Sequence, residues 1–223
     1  MAIKAVLFDL FGTLTEATDI ENIIIEKFEL KKGAHAKLNQ AICGQKFDGW
    51  RKYLDGVVEA AGIEKSPANR EKMRGVVRDC FEKACKGVFP EAKRVLGELR
   101  KAGFKLGLVS EVTPMGRKIL RETGLGRFFH EVILSYEVGL TKKGPKIYHE
   151  CVERLGVKPE EIVMVGNSMQ WDIMMAKEAT GGKIRGILIS RDRKQGAGNI
   201  GCAVVGSIAE VTKELGECRL TIK

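Results

Sequence analysis

The stretch Ile3-Lys4-Ala5-Val6-Leu7-Phe8-Asp9-Leu10-Phe11-Gly12-Thr13-Leu14-Thr15 decides the fold. From Ile3 to Phe8 every residue but Lys4 is apolar, the composition of a strand buried on both faces. The run stops at Asp9. A carboxylate directly after a buried strand stands at the carboxyl edge of the sheet, where open α/β folds bind their ligands. Gly12 permits a sharp turn and a close approach to a ligand. Thr13 and Thr15 add hydroxyls. A loop capped by Asp9 and merely turned by Gly12 would account for these residues equally well, so the rest of the chain has to decide.

Outward from this stretch, residues 16–88 carry helical patterns and no strand. Asp19 is the expected N-cap of a helix running to about Gln40, with Glu21 in its first turn and Ile20, Ile23, Ile24, Phe28 and Leu38 at its apolar positions. Phe47–Ala61 predicts a second helix, and Ser66-Pro67 opens a third that ends near Gly87. From Phe89 onward helices and strands alternate. Helices are expected at 89–102, 114–123, 145–155, 169–180 and 208–215, and strands at 104–109, 131–135, 161–165, 184–189 and 203–205. This alternation predicts an α/β fold with a doubly wound parallel sheet. Residues 1–15 and 89–223 would form that core, and residues 16–88 a helical cap domain inserted after the first strand. Hinges are expected near residues 14–18 and 86–90.

The composition narrows the function. A chain of 223 residues can bury a sizeable core, and 44% apolar residues excludes a disordered polymer. No stretch is long and apolar enough to span a bilayer, and Met1-Ala2-Ile3-Lys4 leads into a strand with no signal-peptide pattern. A cytoplasmic location without a membrane partner is therefore expected. The cysteines at 43, 80, 85, 151, 202 and 218 form no C-x-x-C pair and read as reduced thiols. His35, His130 and His149 are too scattered to suggest zinc. The net charge of +9 suits a small anionic substrate. Its basic residues are mixed with acidic ones, with no basic tail and no interleaved aromatics, which argues against nucleic acid.

The strand ends carry the chemistry. Asp9 follows the first strand, Ser110 the second, Lys142 lies beyond the third, and Asn167 and Asp172 follow the fourth. In a parallel sheet these positions share one edge. In this order and spacing the chain resembles the haloacid dehalogenase (HAD) superfamily, with its Rossmann-like core and many phosphatases. That family's D-x-D-G-T is matched by Asp9-Leu10-Phe11-Gly12-Thr13, its strand-terminal Ser or Thr by Ser110, and its lysine by Lys142 or the adjacent Lys143. Its G-D-x-x-x-x-D is matched by Gly166-Asn167-Ser168-Met169-Gln170-Trp171-Asp172. The resemblance implies a hydrolase with Asp9 as nucleophile, Ser110 and Lys142 as catalytic and substrate-binding groups, and Thr13 as a further substrate contact. It also implies Mg²⁺ held by Asp9, the main-chain carbonyl of Phe11, Asn167 and Asp172.

Two departures stand inside these motifs. Phe11 replaces the aspartate that protonates the leaving oxygen in the phosphatases, and Asn167 replaces an aspartate of the metal site. Dehalogenases of the family also lack the first of these carboxylates and use no metal, so Phe11 resembles their arrangement. The rest of their pattern is missing. Met169 stands where they carry Asn, Glu111 follows Ser110 where Asn is usual, and Arg51 is the nearest candidate for a halide-cradling arginine. The leading expectation is a Mg²⁺-dependent phosphatase acting on a small phosphomonoester. The alternatives are a metal-free 2-haloacid dehalogenase and a catalytically impaired binding protein.

Overall fold

A computed structural model of the chain describes residues 2–30, 35–192 and 202–220. Six parallel strands form one sheet: β1 (Ala5–Phe8), β2 (Lys105–Ser110), β3 (Glu131–Leu134), β4 (Ile162–Gly166), β5 (Arg185–Ile189) and β6 (Ala203–Val205). Their order is β3-β2-β1-β4-β5-β6, and every pairing is parallel. This is the doubly wound α/β sheet that the alternation predicts. The chain leaves β1 toward β2 on one side and later returns to place β4 on the other. The crevice at the carboxyl ends of β1 and β4 is thus the point where the winding reverses, and ligands bind at such points.

The two sides of the sheet follow from side-chain alternation. Val6 and Phe8 of β1, Leu106 and Leu108 of β2, and Val163 and Val165 of β4 face one apolar layer. Ala5, Leu7, Val109, Ile162 and Met164 face the other. Helices cover both layers, which is why the strands read as continuous apolar runs rather than alternating ones.

In chain order the helices are α1 (Ile20–Lys27), α2 (His35–Asn39), α3 (Trp50–Ala60), α4 (Pro67–Lys86), α5 (Ala92–Lys101), α6 (Gly116–Glu122), α7 (Ser135–Val138), α8 (Lys146–Leu155), α9 (Met175–Ala179) and α10 (Val211–Leu220). The first four lie between β1 and β2. They gather Ile24, Leu38, Leu54, Val57, Met73 and Val77 into an apolar cluster of their own. Asp19 caps α1 by accepting from Asn22 N at 3.0 Å, and Ser66 caps α4 by accepting from Asn69 N at 3.1 Å, with Pro67 in the first turn.

The main departures from the sequence expectation lie at four places. The helix expected over 19–40 is interrupted: α1 ends at Lys27, Glu29 takes φ +53°, and Leu30 N donates back to Ile25 O at 2.9 Å. No glycine marks this stop, because a glutamate occupies the left-handed position that glycine usually fills. After α2 a π-helical turn spans Gln40–Gly44. The strand expected over 131–135 yields at Ser135 to the single turn of α7. The helix expected over 169–180 opens with a π-helical turn, Met169–Met174, before α9.

Candidate active site

Main-chain bonding places Asp9 before any side chain acts. Its N–H donates to Val165 O at 3.0 Å, extending the ladder between β1 and β4 by one residue. Beyond it the chain turns tightly: Leu14 and Thr15 N–H both donate to Leu10 O, and Gly12 N donates to Thr15 O at 2.6 Å. Gly12 has φ +77°, and a Cβ there would run into the side-chain amide of Asn167. The residue that turns the first loop is therefore also the floor on which the first residue after β4 rests. Arg191, just past β5, stacks on the ring of Phe89 and donates to Thr13 O at 3.1 Å, bracing the same turn from outside.

Three charged side chains meet at the foot of a cleft of about 440 Å³. Asp9, Lys142 and Asp172 are 6%, 5% and 1% exposed. The Lys142 ammonium donates to Asp9 Oδ1, and to Asp172 Oδ1 at 2.7 Å. Asp172 is held in turn by Ser168 N, which donates to its Oδ2 at 2.9 Å. Its carboxylate lies against the α-carbon of Gly166, where any Cβ would collide with it. The π-helical turn that brings Asp172 back toward the sheet is pinned by Trp171 N donating to Ser168 Oγ at 3.1 Å, and by Tyr148 Oη donating to Trp171 O at 2.6 Å. Such turns interrupt helices where a side chain has to be re-aimed.

Two carboxylates share one ammonium in a buried place. Burial pushes the Asp9 carboxyl up to about 6, with Asp172 adding to the rise and Lys142 opposing it. Burial pulls Lys142 the other way, but Asp172 and Asp9 together outweigh it and hold the ammonium well above its ordinary range. Lys142 is thus charged at any physiological pH. Lys143 also lines the cleft, but the side chain on Asp9 is that of Lys142.

The remaining sequence candidates fall into two groups. Phe11 and Asn167 line the cleft beside Asp9, and Phe11 also packs against the core. Thr13 and Ser110 lie beneath it, both fully buried. The Thr13 hydroxyl faces Asp9 Oδ2 at 3.4 Å, too far to saturate that oxygen. Ser110 Oγ is buried without a hydrogen-bond partner. Arg51 is exposed on α3 and does not line the cleft.

Among the described residues no group of three or more His, Cys, Asp or Glu side chains is placed to hold a metal. A cation here would need the amide oxygen of Asn167 and the carbonyl of Phe11 as well as the carboxylates of Asp9 and Asp172. That all-oxygen set fits Mg²⁺, with one negative charge fewer than two aspartates after β4 would supply.

Three lining residues are not legible as site residues in the sequence. Glu111 follows Ser110 and accepts from Lys142 N at 2.7 Å, anchoring the lysine loop. Glu21 and Asn39 reach the same cleft from α1 and α2. Glu21 reads only as a first-turn acid, and nothing in the pattern singles out Asn39.

Residues 3–180 match the sequence family described as haloacid dehalogenase-like hydrolase. A glyceraldehyde 3-phosphate phosphatase of Methanopyrus kandleri is 44% identical over 93 residues, a match spanning 41% of this chain and 40% of that protein. The enzyme of the same name from Methanothermobacter thermautotrophicus is 28% identical over 187 residues, 79% of this chain and 82% of the relative. An (S)-2-haloacid dehalogenase of a Pseudomonas species is 27% identical over 185 residues, 77% of this chain and 78% of that protein. Among solved structures, a HAD phosphatase from Thermococcus onnurineus superposes with a TM-score of 0.63 at 26% identity, covering 96% of this chain and 98% of the other.

Proposed function

The chain belongs to the haloacid dehalogenase-like hydrolases, and from that premise we propose that it is a Mg²⁺-dependent phosphatase acting through Asp9 on a small phosphomonoester. The observation that carries this reading is the bridge from Lys142 to both Asp9 and Asp172 in a cleft lined, among the described residues, by four carboxylates and two lysines. With its ammonium committed to two carboxylates, Lys142 alone cannot offset a phosphate dianion. An anionic ester entering this cleft needs further positive charge, and the oxygen donors around Asp9 are the kind that would hold it. Relatives named as phosphatases support the same reading.

The residues then divide the work. The Asp9 carboxylate attacks phosphorus, the bond from phosphorus to the alcohol oxygen breaks with its electron pair on that oxygen, which takes its proton from water, and an aspartyl phosphate forms. Water attacks that phosphorus and releases phosphate, returning Asp9 to a carboxylate. Lys142 holds Asp9 in place and offsets charge on the transferring group. The unpartnered hydroxyl of Ser110 lies beneath, a donor for a phosphoryl oxygen. Mg²⁺ held by Asp9, the Phe11 carbonyl, Asn167 and Asp172 would supply the charge that lets an anionic nucleophile meet an anionic ester. Phe11 has no proton to give the leaving alcohol, a deficit of about 10²–10⁴-fold in rate. Esters of acidic alcohols therefore react best, and release of phosphate from Asp9 is slow.

Phe11 also supports a second reading. Halide departs without a proton, and an (S)-2-haloacid dehalogenase is among the relatives. A paired assay on the purified chain separates the two. One arm follows phosphate released from an activated aryl phosphate, with Mg²⁺ or with chelator; the other follows halide released from a short 2-haloacid. Metal-dependent phosphate release that is abolished in Asp9→Asn is the expected result. Halide release unaffected by chelator would replace the phosphatase reading with the dehalogenase one.

A further inference from the structure

Glu111 lines the same cleft as Asp9, and both of its carboxylate oxygens accept hydrogen bonds. Oε2 accepts from Lys142 N at 2.7 Å, and Oε1 accepts from Asn39 Nδ2. Asn39 ends α2, is 7% exposed, and donates from the same nitrogen to Glu21 Oε1 at 2.8 Å. An ionised carboxylate can accept from two donors at once, one on each oxygen. A glutamine has one oxygen and would turn its own N–H groups toward the second donor. Glu111 follows Ser110 at the end of β2, so its backbone is set by the sheet.

The loop that carries Lys142 is otherwise loosely tied. Leu140 N donates to Ser135 O at 3.3 Å and Gly144 N to Thr141 O at 3.4 Å, both long for such bonds. The inserted helices reach this loop from two sides. After Asn39 comes the π-helical turn Gln40–Gly44. Beyond that turn, Phe47 N donates to Tyr136 O at 3.1 Å, and a Cβ at Gly139 would press on the Lys46 side chain. Residues 39–47 thus reach from Glu111 to the chain just before Lys142.

We propose that Glu111 is a positioning residue for Lys142, and that Asn39 holds Glu111 in the orientation that does so. This rests on the phosphatase reading and names how the lysine of that site is placed. Lys142 is held at both ends: Glu111 fixes its main chain, and Asp9 and Asp172 fix its ammonium. A phosphoryl group arriving at Asp9 draws the ammonium toward its oxygens, and the main-chain bond keeps the loop in place. Without Asn39, Oε1 loses its donor, and the carboxylate turns to water and releases Lys142 N. Asn39 belongs to the insert and Lys142 to the part that carries the sheet, so Lys142 is aligned with Asp9 only while residues 39–47 are docked.

The test reads hydrogen exchange at the Lys142 amide of the full chain, with the amides of β4 as internal reference. Asn39→Leu alters neither Glu111 nor Lys142. It should speed exchange at Lys142 by at least about tenfold, the scale of one hydrogen bond to a charged group, and leave β4 unchanged. Glu111→Gln should do the same. With Mg²⁺ and an aryl phosphate, each should lower kcat about tenfold and hold KM within about twofold, because the lost alignment acts on the transferring group. The double variant should be no slower than the slower single one, since both residues act through one bridge. Unchanged exchange at Lys142 in Asn39→Leu would overturn the proposal. So would faster exchange with unchanged kcat, or kcat losses that multiply in the double variant. Equal acceleration at Lys142 and in β4 would mark a general loosening of the fold and overturn it as well. If the wild type released no phosphate, the phosphatase reading would fall, and exchange at Lys142 alone would decide whether Asn39 controls the lysine.

Discussion

Asp9 and Lys142 make opposite contributions to stability, although they form one ion pair. The folded-state pKa of Asp9, about 6, lies above its ordinary 3.8. The stability this confers is complete below about pH 4 and is lost as pH rises through 6. At neutral pH the metal-free protein therefore carries a costly second carboxylate against a single ammonium. Asp9→Asn should raise its stability by up to about 3 kcal/mol, measured by denaturant unfolding in chelator at pH 7. A loss of stability would mean that Lys142 compensates both charges. Lys142→Met should do the reverse, leaving two buried carboxylates facing each other at a cost of about 3–5 kcal/mol in the same experiment. At position 11 the expected change is in rate. Phe11→Asp restores a proton donor beside Asp9 and should increase steady-state phosphate release from unactivated esters, by up to about 10²-fold. An unchanged rate would count against the role assigned to this position.

At the scale of elements, the site is held by turns that depend on each other. The loop after β1 and the first residue after β4 touch through Gly12 and Asn167. Gly12→Ala forces a side chain into the left-handed region at φ +77° and into that amide. It should cost about 1–3 kcal/mol and, by displacing Asn167, weaken Mg²⁺ binding. Thermal melts and a calorimetric Mg²⁺ titration check both effects, and unaltered Mg²⁺ affinity would argue against Asn167 as a ligand. The two connections between sheet and inserted helices also lie side by side. Glu16 N donates to Gly87 O at 2.8 Å, Phe89 N to Leu14 O at 3.0 Å, and the Thr15 hydroxyl to Ala84 O at 2.7 Å. The entry and exit of the insert are thus tied to one another directly behind the turn that carries Gly12 and Thr13.

At the scale of the whole molecule, charge is distributed in two ways at once. The chain carries +9 overall, while the cleft is lined by Asp9, Glu21, Glu111 and Asp172 against Lys142 and Lys143. A net positive charge favours the approach of anions, while the excess of carboxylates in the cleft favours a cation there. Salt screens the first far more than the second, because the Debye length falls to about 8 Å at physiological ionic strength and buried pairs are little affected. For an anionic ester, kcat/KM should therefore fall severalfold between about 0.01 M and 0.3 M salt while kcat changes little. A salt-independent kcat/KM would show that the surface charge plays no part in capture.

Much of this molecule can be read from its sequence because local physics suffices for it. Six apolar runs separated by helical periods are enough to require a parallel sheet, since no other arrangement buries both faces of so many short strands. Strand ends in such a sheet share an edge, so Asp9, Asn167 and Asp172 could be gathered before any coordinate was known, and Lys142 with them. Other features depend on where the chain goes next. The stop of α1 falls on Glu29, whose left-handed backbone no residue type announces. The π-helical turn that returns Asp172 to the sheet is set by its bond to Ser168 N and by the collision a Cβ at Gly166 would make. Asn39 is unremarkable in its helix and becomes informative only when folding buries it between Glu21 and Glu111 with one oxygen unpaired. Which residues are buried and which follow a strand can be read along the chain, because near neighbours set them. Which polar atoms meet and which are left without a partner emerges with folding, because those contacts join residues far apart in the chain, and no pattern along it records their geometry.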